Sequence, residues 1–504
     1  MPIVNQENSC RILACEQFPT LYVSGRRGQT VISTEPPSDG AYFTIPNLTA
    51  QDFGDEEFKR AYGLKYALYG GAMANGIASA DMVIALGKVG CMGSYGSGGM
   101  SLEAVAQAIR RIKAELNGKP YMINMLSNRN VQAELELAEL LVAEDVPAVE
   151  ASAYITPSEA LVYYRAKGLR AEGGGVVIPH KIIAKVSREE VLEKFVSPPP
   201  KEAVEALLQG GLITAEEAAL AAGIPMADDI TVEADSGGHT DGRPLVSMLP
   251  ALIALANRKQ KEFGYGQRVR VGAGGGIGTG LSCLGAFEMG AAYVVTGSIN
   301  QGCVESGTSE YVKQLLAETE MADVTMAPCA DMFEMGAKVE VIKKKTMYAQ
   351  NAQKLYECYV KYASLEEIPA AERERIEKKI LKNNFDSIWK DTKDYFSRVD
   401  PAKIAQAEKN PKTKMALVFR WYLGSSSRWA VQGDPARKLD MQIWCGQAMG
   451  AFNLWVKGTP LEQAENRRVG EVSELLLRSC AYHYMKNLLV RMGAENGGFC
   501  EEIF

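Results

Sequence analysis

Between about Tyr66 and Gln301, short apolar runs ending in glycine or a small polar residue alternate with amphipathic stretches of helical length. Strands buried on both faces of a parallel sheet read as near-continuous apolar segments, so this texture predicts repeated strand–helix units. Eight runs fit: Tyr66–Met73, Met92–Gly99, Tyr121–Leu126, Ala148–Ile155, Lys181–Ser187, Ile230–Asp235, Val269–Gly274 and Ala292–Ser298. Eight strands followed by helices close into a (β/α)8 barrel. The predicted fold class is therefore α/β, a TIM barrel.

The flanks read differently. Residues 1–60 are turn-rich, with Pro36-Pro37-Ser38-Asp39-Gly40, and predict an N-terminal cap. The barrel is assigned to 61–344. Residues 345–504 are helical and charged, as in Glu372–Lys382, and carry all five tryptophans (Trp389, Trp421, Trp429, Trp444, Trp455). Aromatics of that size need a surface to pack on, which predicts a helical domain against the barrel side. Ser197-Pro198-Pro199-Pro200 opens an irregular connection before the sixth strand, in which Thr214–Ala222 reads as a short helix with Thr214 as N-cap.

Composition narrows the class without naming a function. The chain has 504 residues, 47% hydrophobic and 23% charged, and a net charge of −6, which argues against a nucleic-acid binder. No run reaches the roughly 18 apolar residues of a membrane span, and Met1–Glu7 lacks the pattern of a secretory signal. Ten scattered cysteines without a Cys-x-x-Cys pair, and three histidines, suggest neither a disulfide framework nor a metal site. A reducing, cytoplasmic setting follows as an expectation.

Chemistry in such a barrel gathers at the C-terminal strand ends. After the seventh run comes Gly272-Ala273-Gly274-Gly275-Gly276-Ile277-Gly278-Thr279-Gly280, and after the eighth Thr296-Gly297-Ser298-Ile299-Asn300. Glycine loops feeding helix starts present amides to a phosphate, and barrels build phosphate sites at these two positions. A Rossmann site is disfavoured, because the loop comes late and no acidic residue follows at the expected place. Gly70-Gly71-Ala72-Met73 after the first run suits either close approach to a flat ligand or an ordinary tight turn. Asn124 and Lys185 are polar residues inside apolar strands. An amide there wants a partner, and an ammonium wants an anion, either a ligand or Glu233 or Asp235. His239, beside Gly237 and Gly238, is placed to donate a hydrogen bond or a proton, or simply to pack beside a cofactor. His180 and His483 read as structural, and Cys303 lacks a neighbouring base. Lys343–Lys345 with Arg373, Arg375, Lys378, Lys379 and Lys382 form a solvated basic face, or one that meets an acidic partner.

The segment Glu233–Asp241, with its Gly-Gly-His, resembles that of flavin-dependent enoyl reductases and nitronate monooxygenases, as do Gly70–Ala74 and Gly274–Ile277. Ala327–Gly336 and Gln432-Gly433-Asp434-Pro435 are similar to the PfaD-like trans-acting enoyl reductases of polyketide and polyunsaturated fatty-acid synthases. That resemblance implies FMN as cofactor, NADPH as reductant and an enoyl thioester on an acyl carrier protein as substrate. The flavin contacts it implies are Gly71, Ala72, Met73, Asn124, Lys185, Gly238, Gly275, Gly276, Gly297 and Ser298, with His239 as the catalytic histidine and no metal. A synthase complex is the implied setting and a homodimer the default assembly. The rival readings are a nitronate-oxidising flavin enzyme and a non-catalytic flavin- or acyl-binding protein of a synthase.

Overall fold

In chain order the strands are β1 (Leu21–Ser24), β2 (Val31–Ser33), β3 (Tyr42–Ile45), β4 (Leu68–Gly70), β5 (Met92–Tyr95), β6 (Met122–Leu126), β7 (Ala148–Ser152), β8 (Arg170–Glu172), β9 (Gly175–Val177), β10 (Lys181–Val186), β11 (Asp229–Glu233), β12 (Gly238–His239), β13 (Arg270–Gly274), β14 (Val294–Thr296), β15 (Val324–Pro328) and β16 (Lys338–Ile342). The computed structural model describes residues 20–25, 31–38, 40–46, 48–128 and 130–492. The sequence readings of Met1–Glu7, Asp39, Cys10, Cys15 and Cys500 fall outside them.

Eight parallel strands close into a barrel in the order β10-β11-β13-β14-β4-β5-β6-β7. All eight apolar runs supply one strand each. Helices Ala80–Val89, Leu102–Leu116 and Val131–Ala143 follow β4, β5 and β6, each started by a side-chain N-cap from Ser79, Ser101 or Asn130. Thr214 caps the Ala215–Ala221 helix reciprocally with Glu217, as its sequence predicts.

The N-terminal end of the barrel is plugged by the helix Glu56–Tyr62. Phe58 stacks on Tyr293 at 4.1 Å, and Tyr62 donates to Asp229, which also takes a bidentate pair from Arg270 at 2.6 and 2.8 Å. Such buried pairs hold when further hydrogen bonds share their charge, as the Tyr62 hydroxyl does here. Strands β1–β3 form a small antiparallel sheet before this plug.

The last helix, Val469–Arg491, lies against Gly280–Glu288 and Ala80–Val89, the helices that follow β13 and β4. It fills the eighth place in the outer ring. Two glycines permit the contact: a Cβ at Gly280 would lie 2.1 Å from Ser479 Oγ, and one at Gly470 2.9 Å from Val89 Cγ1. The division at residue 345 expected from the sequence therefore leaves a barrel helix on the wrong side. The helical region is an insertion between the last barrel strand and the last barrel helix.

That insertion has its own apolar core, including Phe333, Tyr348, Leu355, Phe385, Phe419 and Tyr422. Trp389, Trp421, Trp429 and Trp444 pack around it, whereas Trp455 belongs to the barrel core. Asp400-Pro401 and Asn410-Pro411 start two of its helices, the acidic or amide side chain capping and the proline fixing the first turn. No helix among the described residues is long and apolar enough to cross a membrane.

Candidate active site

At the C-terminal end of β13 the chain turns through Gly275 (φ +89°) and Gly276 (φ +75°), a conformation that favours glycine. A Cβ at Gly275 would strike the Ala234 backbone at 2.8 Å, so close approach also excludes a side chain there. Gly276 and Gly297 differ: nothing lies within 4 Å of where a Cβ would stand. The Gly276 amide meets no acceptor among the described residues. The next helix start is already satisfied, because Gly278 and Thr279 donate to Ser282 Oγ and Thr279 caps Ser282. Open space at these two loops therefore lies at Gly276 and, on the facing strand end, at Gly297.

Gly71 donates to Thr296 O at 2.9 Å, and a Cβ there would meet Val295 at 3.1 Å and Glu150 Oε1 at 3.6 Å. Ala72 N donates to Glu150 Oε2 at 2.7 Å, which fixes the turn after β4, and Met73 follows half-buried. Asn124 is satisfied by protein, its amide donating to Glu150 O and Ser152 Oγ at 2.9 and 3.0 Å.

Lys185 rises between two acids, 2.7 Å from Glu233 Oε1 and 3.8 Å from Glu150 Oε1. Burial disfavours the ammonium, but the two carboxylates outweigh it and raise its pKa. The ion pair with Glu233 weighed from the sequence is therefore present; Asp235 is not part of it. Glu150, fully buried in β7, is a site residue that the sequence reading misses. Its signal is the one that flags Asn124, a polar residue inside Ala148-Val149-Glu150-Ala151.

His239 lies not in an open loop but in the short strand β12, paired with β16 in the register His239↔Val339 and Gly238↔Glu340. Its Nε2 is 3.0 Å from Asp331 Oδ1, and Cys329 completes a trio whose polar atoms lie within 4.8 Å of one another. Burial opposes the imidazolium, yet the hydrogen bonds to Asp331 and Cys329 prevail and push its pKa up to about 10. The side chain is 47% exposed, so water screens much of that pairing. His180 is buried beside Val146 O, and burial pushes its pKa down, as suits a structural residue. Cys303 is fully buried and burial raises its thiol, which leaves no nucleophile there.

The segment Trp444–Gln447 of the insertion covers the mouth. Gly446 N donates to Ser298 Oγ at 2.9 Å, and Gly237 sits against the Cys445 backbone, where a Cβ would come within 2.8 Å. A recess of about 400 Å³ lined by Glu57, Gln267, Arg268 and Arg270 lies instead at the N-terminal end, away from the glycine turns. The arrangement at the mouth, then, is open space at Gly276 and Gly297, a charged triad at the barrel centre and a half-exposed histidine on a strand paired with the insertion.

The pattern of the nitronate monooxygenase family matches residues 57–386. The chain belongs to this family. Within it, the chain is similar to the PfaD-like group. The enoyl reductase domain of MlnA from the macrolactin biosynthesis cluster of Bacillus amyloliquefaciens superposes with a TM-score of 0.83 at 39% identity, over 88% of this chain and 99% of that one. A polyunsaturated fatty acid synthase component of Thraustochytrium sp. is 46% identical over 92% of the chain, and polyketide biosynthesis protein PksE of Bacillus subtilis 45% over 86%. The chain spans 31% and 57% of the length of these two curated relatives. Residues 362–441 of the insertion match the inserted helical domain of acyl-carrier-protein S-malonyltransferase.

Proposed function

We propose that this family member is an FMN-dependent enoyl reductase that saturates the α,β double bond of an enoyl thioester on an acyl carrier protein, with NADPH as reductant. The observation that carries the reading is the open space at Gly276 and Gly297 on the ends of neighbouring barrel strands, with the Gly276 amide meeting no acceptor among the described residues, which suits a phosphate. Gly71, Ala72, Met73, Asn124, Lys185 and Gly238 line the rest of the flavin site. Bound there, FMN supplies hydride transfer. Lys185 balances negative charge at the barrel centre, and Glu150 fixes the turn that carries Gly71 and Ala72. His239, held charged by Asp331, donates to the thioester oxygen as negative charge builds on it. The insertion supports a carrier-bound substrate, because its residues 362–441 resemble a domain of an enzyme named for acyl carrier protein. A synthase complex as partner, a homodimer and a cytoplasmic setting belong to the same reading.

The test is anaerobic. NADPH is added to the yellow protein, followed by a crotonyl thioester of a carrier protein. Bleaching and thioester-dependent recovery of the flavin absorbance are expected. Bleaching without recovery points to another acceptor, with nitronates and oxygen next. Protein without flavin overturns the assignment.

A further inference from the structure

Three side chains that ligate metals meet where the barrel joins the insertion. The ligating atoms of His239, Cys329 and Asp331 all lie within 4.8 Å of one another, with His239 Nε2 3.0 Å from Asp331 Oδ1. No other His, Cys, Asp or Glu trio among the described residues is set this way. Sequence spacing does not announce it, because His239 precedes Asp331 by 92 residues. The sheet assembles it instead. His239, Val339 and Ala327 share one face of the β12-β16-β15 ladder, and Cys329, two residues beyond Ala327, continues that face. Cys329 N donates to Ala337 O at 3.0 Å, which holds the backbone in register past the end of β15.

The burial of the three suits an ion that enters from solvent. Cys329 is 1% exposed, whereas the side chains of His239 and Asp331 are 47% and 61% exposed. An arriving ion meets the imidazole and the carboxylate first and finds the sulfur beneath them. A tetrahedral zinc ion holds nitrogen and oxygen at about 2.0–2.2 Å and sulfur at about 2.3 Å, which sets neighbouring donors about 3.3–3.6 Å apart. The His239–Asp331 edge is already close to that. The longest edge closes by about 1.5 Å at most, within reach of a rotation of the exposed Asp331 side chain. One nitrogen, one sulfur and one oxygen suit a borderline-soft ion, not calcium or magnesium, which take oxygen ligands. Three protein ligands leave the fourth position to water.

We propose that His239, Cys329 and Asp331 bind one divalent ion of the zinc class, which shuts the site by occupying His239 Nε2. Ligation passes the Nε2 and thiol protons to water in exchange for two metal bonds, and no electron is transferred. The binding site stands on its geometry alone. The shut-off rests on the enoyl-reductase reading, in which that nitrogen donates to the thioester oxygen.

The test is cobalt binding to the full chain after treatment with a chelator. Co2+ stands in for zinc, and four-coordination with a thiolate gives visible bands to the red of the flavin. One equivalent per chain is expected, displaced by Zn2+, which binds such ligands more tightly, and not by excess Mg2+. Loss of a hydrogen bond behind a ligand costs about 10–100-fold in metal affinity, so loss of a ligand costs about 100-fold or more. Cys329→Ser and Asp331→Ala each weaken zinc binding by that factor. Asp331 is exposed, so D331A serves where C329S does not fold. Zn2+ also slows thioester-dependent flavin recovery in step with occupancy, read as the ratio of rates with and without the ion, and leaves bleaching by NADPH intact. An absent cobalt band, or one unchanged in the variants, overturns the site. A filled site with unchanged recovery overturns the shut-off alone. Wild-type protein that fails to recover even without the ion overturns the enoyl-reductase reading and the shut-off, while the cobalt bands still decide the site.

Discussion

Lys185→Met separates the two roles that the ammonium at the barrel centre can play. At an effective dielectric of about 20, its 2.7 Å approach to Glu233 corresponds to about 6 kcal/mol of gross attraction, and its 3.8 Å approach to Glu150 to about 4 kcal/mol. Desolvation offsets most of this, and removing one partner of a buried pair costs about 3–5 kcal/mol. The loss falls mainly on Glu150, which is fully buried, because Glu233 is 24% exposed and can be solvated. At about 2–4 °C per kcal/mol, a loss of about 3 kcal/mol lowers the melting temperature by roughly 6–12 °C. Lys185→Met with Glu150→Gln removes the stranded charge and regains at least a third of the loss. Thermal melting and flavin absorbance are then read on both variants. If Lys185 also serves the flavin, the double variant is stable yet poor in flavin. A single variant that melts within a degree of wild type refutes the ion cluster, and a double variant with full flavin refutes the cofactor role.

Gly280→Ala drives a methyl into Ser479 and pushes the last helix off the ring, at about 1–3 kcal/mol; limited proteolysis of that helix accelerates, and Ser479→Gly restores part of the protection. Asp331→Asn removes the charge that raises His239, so the imidazole titration followed by NMR moves down by more than a unit toward the ordinary histidine value. The sign follows from linkage. A raised histidine stabilises the fold fully below its unfolded pKa and loses that contribution as pH rises through about 10. Because the pair is half exposed, water screens part of that contribution. An unchanged midpoint in the Asn variant would show that Asp331 does not hold the imidazole.

The barrel is legible in the sequence because its strands are buried on both faces, so each leaves a local apolar mark ended by glycine. The contacts that organise the mouth are not, because they join residues far apart in sequence. His239 meets Val339 and Asp331 across about a hundred residues, and no local pattern announces a strand as short as β12. Asn124 and Lys185 stand out as polar residues in apolar strands, and Glu150 carries the same mark. Its link to Lys185 is hidden because β10 borders β7 as well as β11, in the register Ile183↔Glu150, and only barrel closure reveals that neighbour. The last helix groups with its sequence neighbours by composition, although its partners are the Ala80–Val89 and Gly280–Glu288 helices.

That misplaced helix bears on how the site is built. With the insertion leaving the barrel after β14 and returning at Val469, both of its ends are anchored in the ring, so its position over the mouth does not depend on a single flexible tether. The Ile443–Cys445 stretch lies along β16, on the edge where β12 ends, through Ile342 N to Ile443 O at 3.0 Å and the Val341↔Trp444 bridge. The same sheet therefore binds the histidine strand and the covering loop into one unit. Gly237 and Gly446 let that unit approach the barrel backbone to backbone, with no side chain between to act as a hinge. A substitution in the insertion core is thus felt at the mouth as a displacement of the whole sheet, His239 included. The glycine steps on β13 and β14 belong to the barrel and stay in place. Loss of turnover with retained flavin is the signature that architecture gives to damage in the insertion.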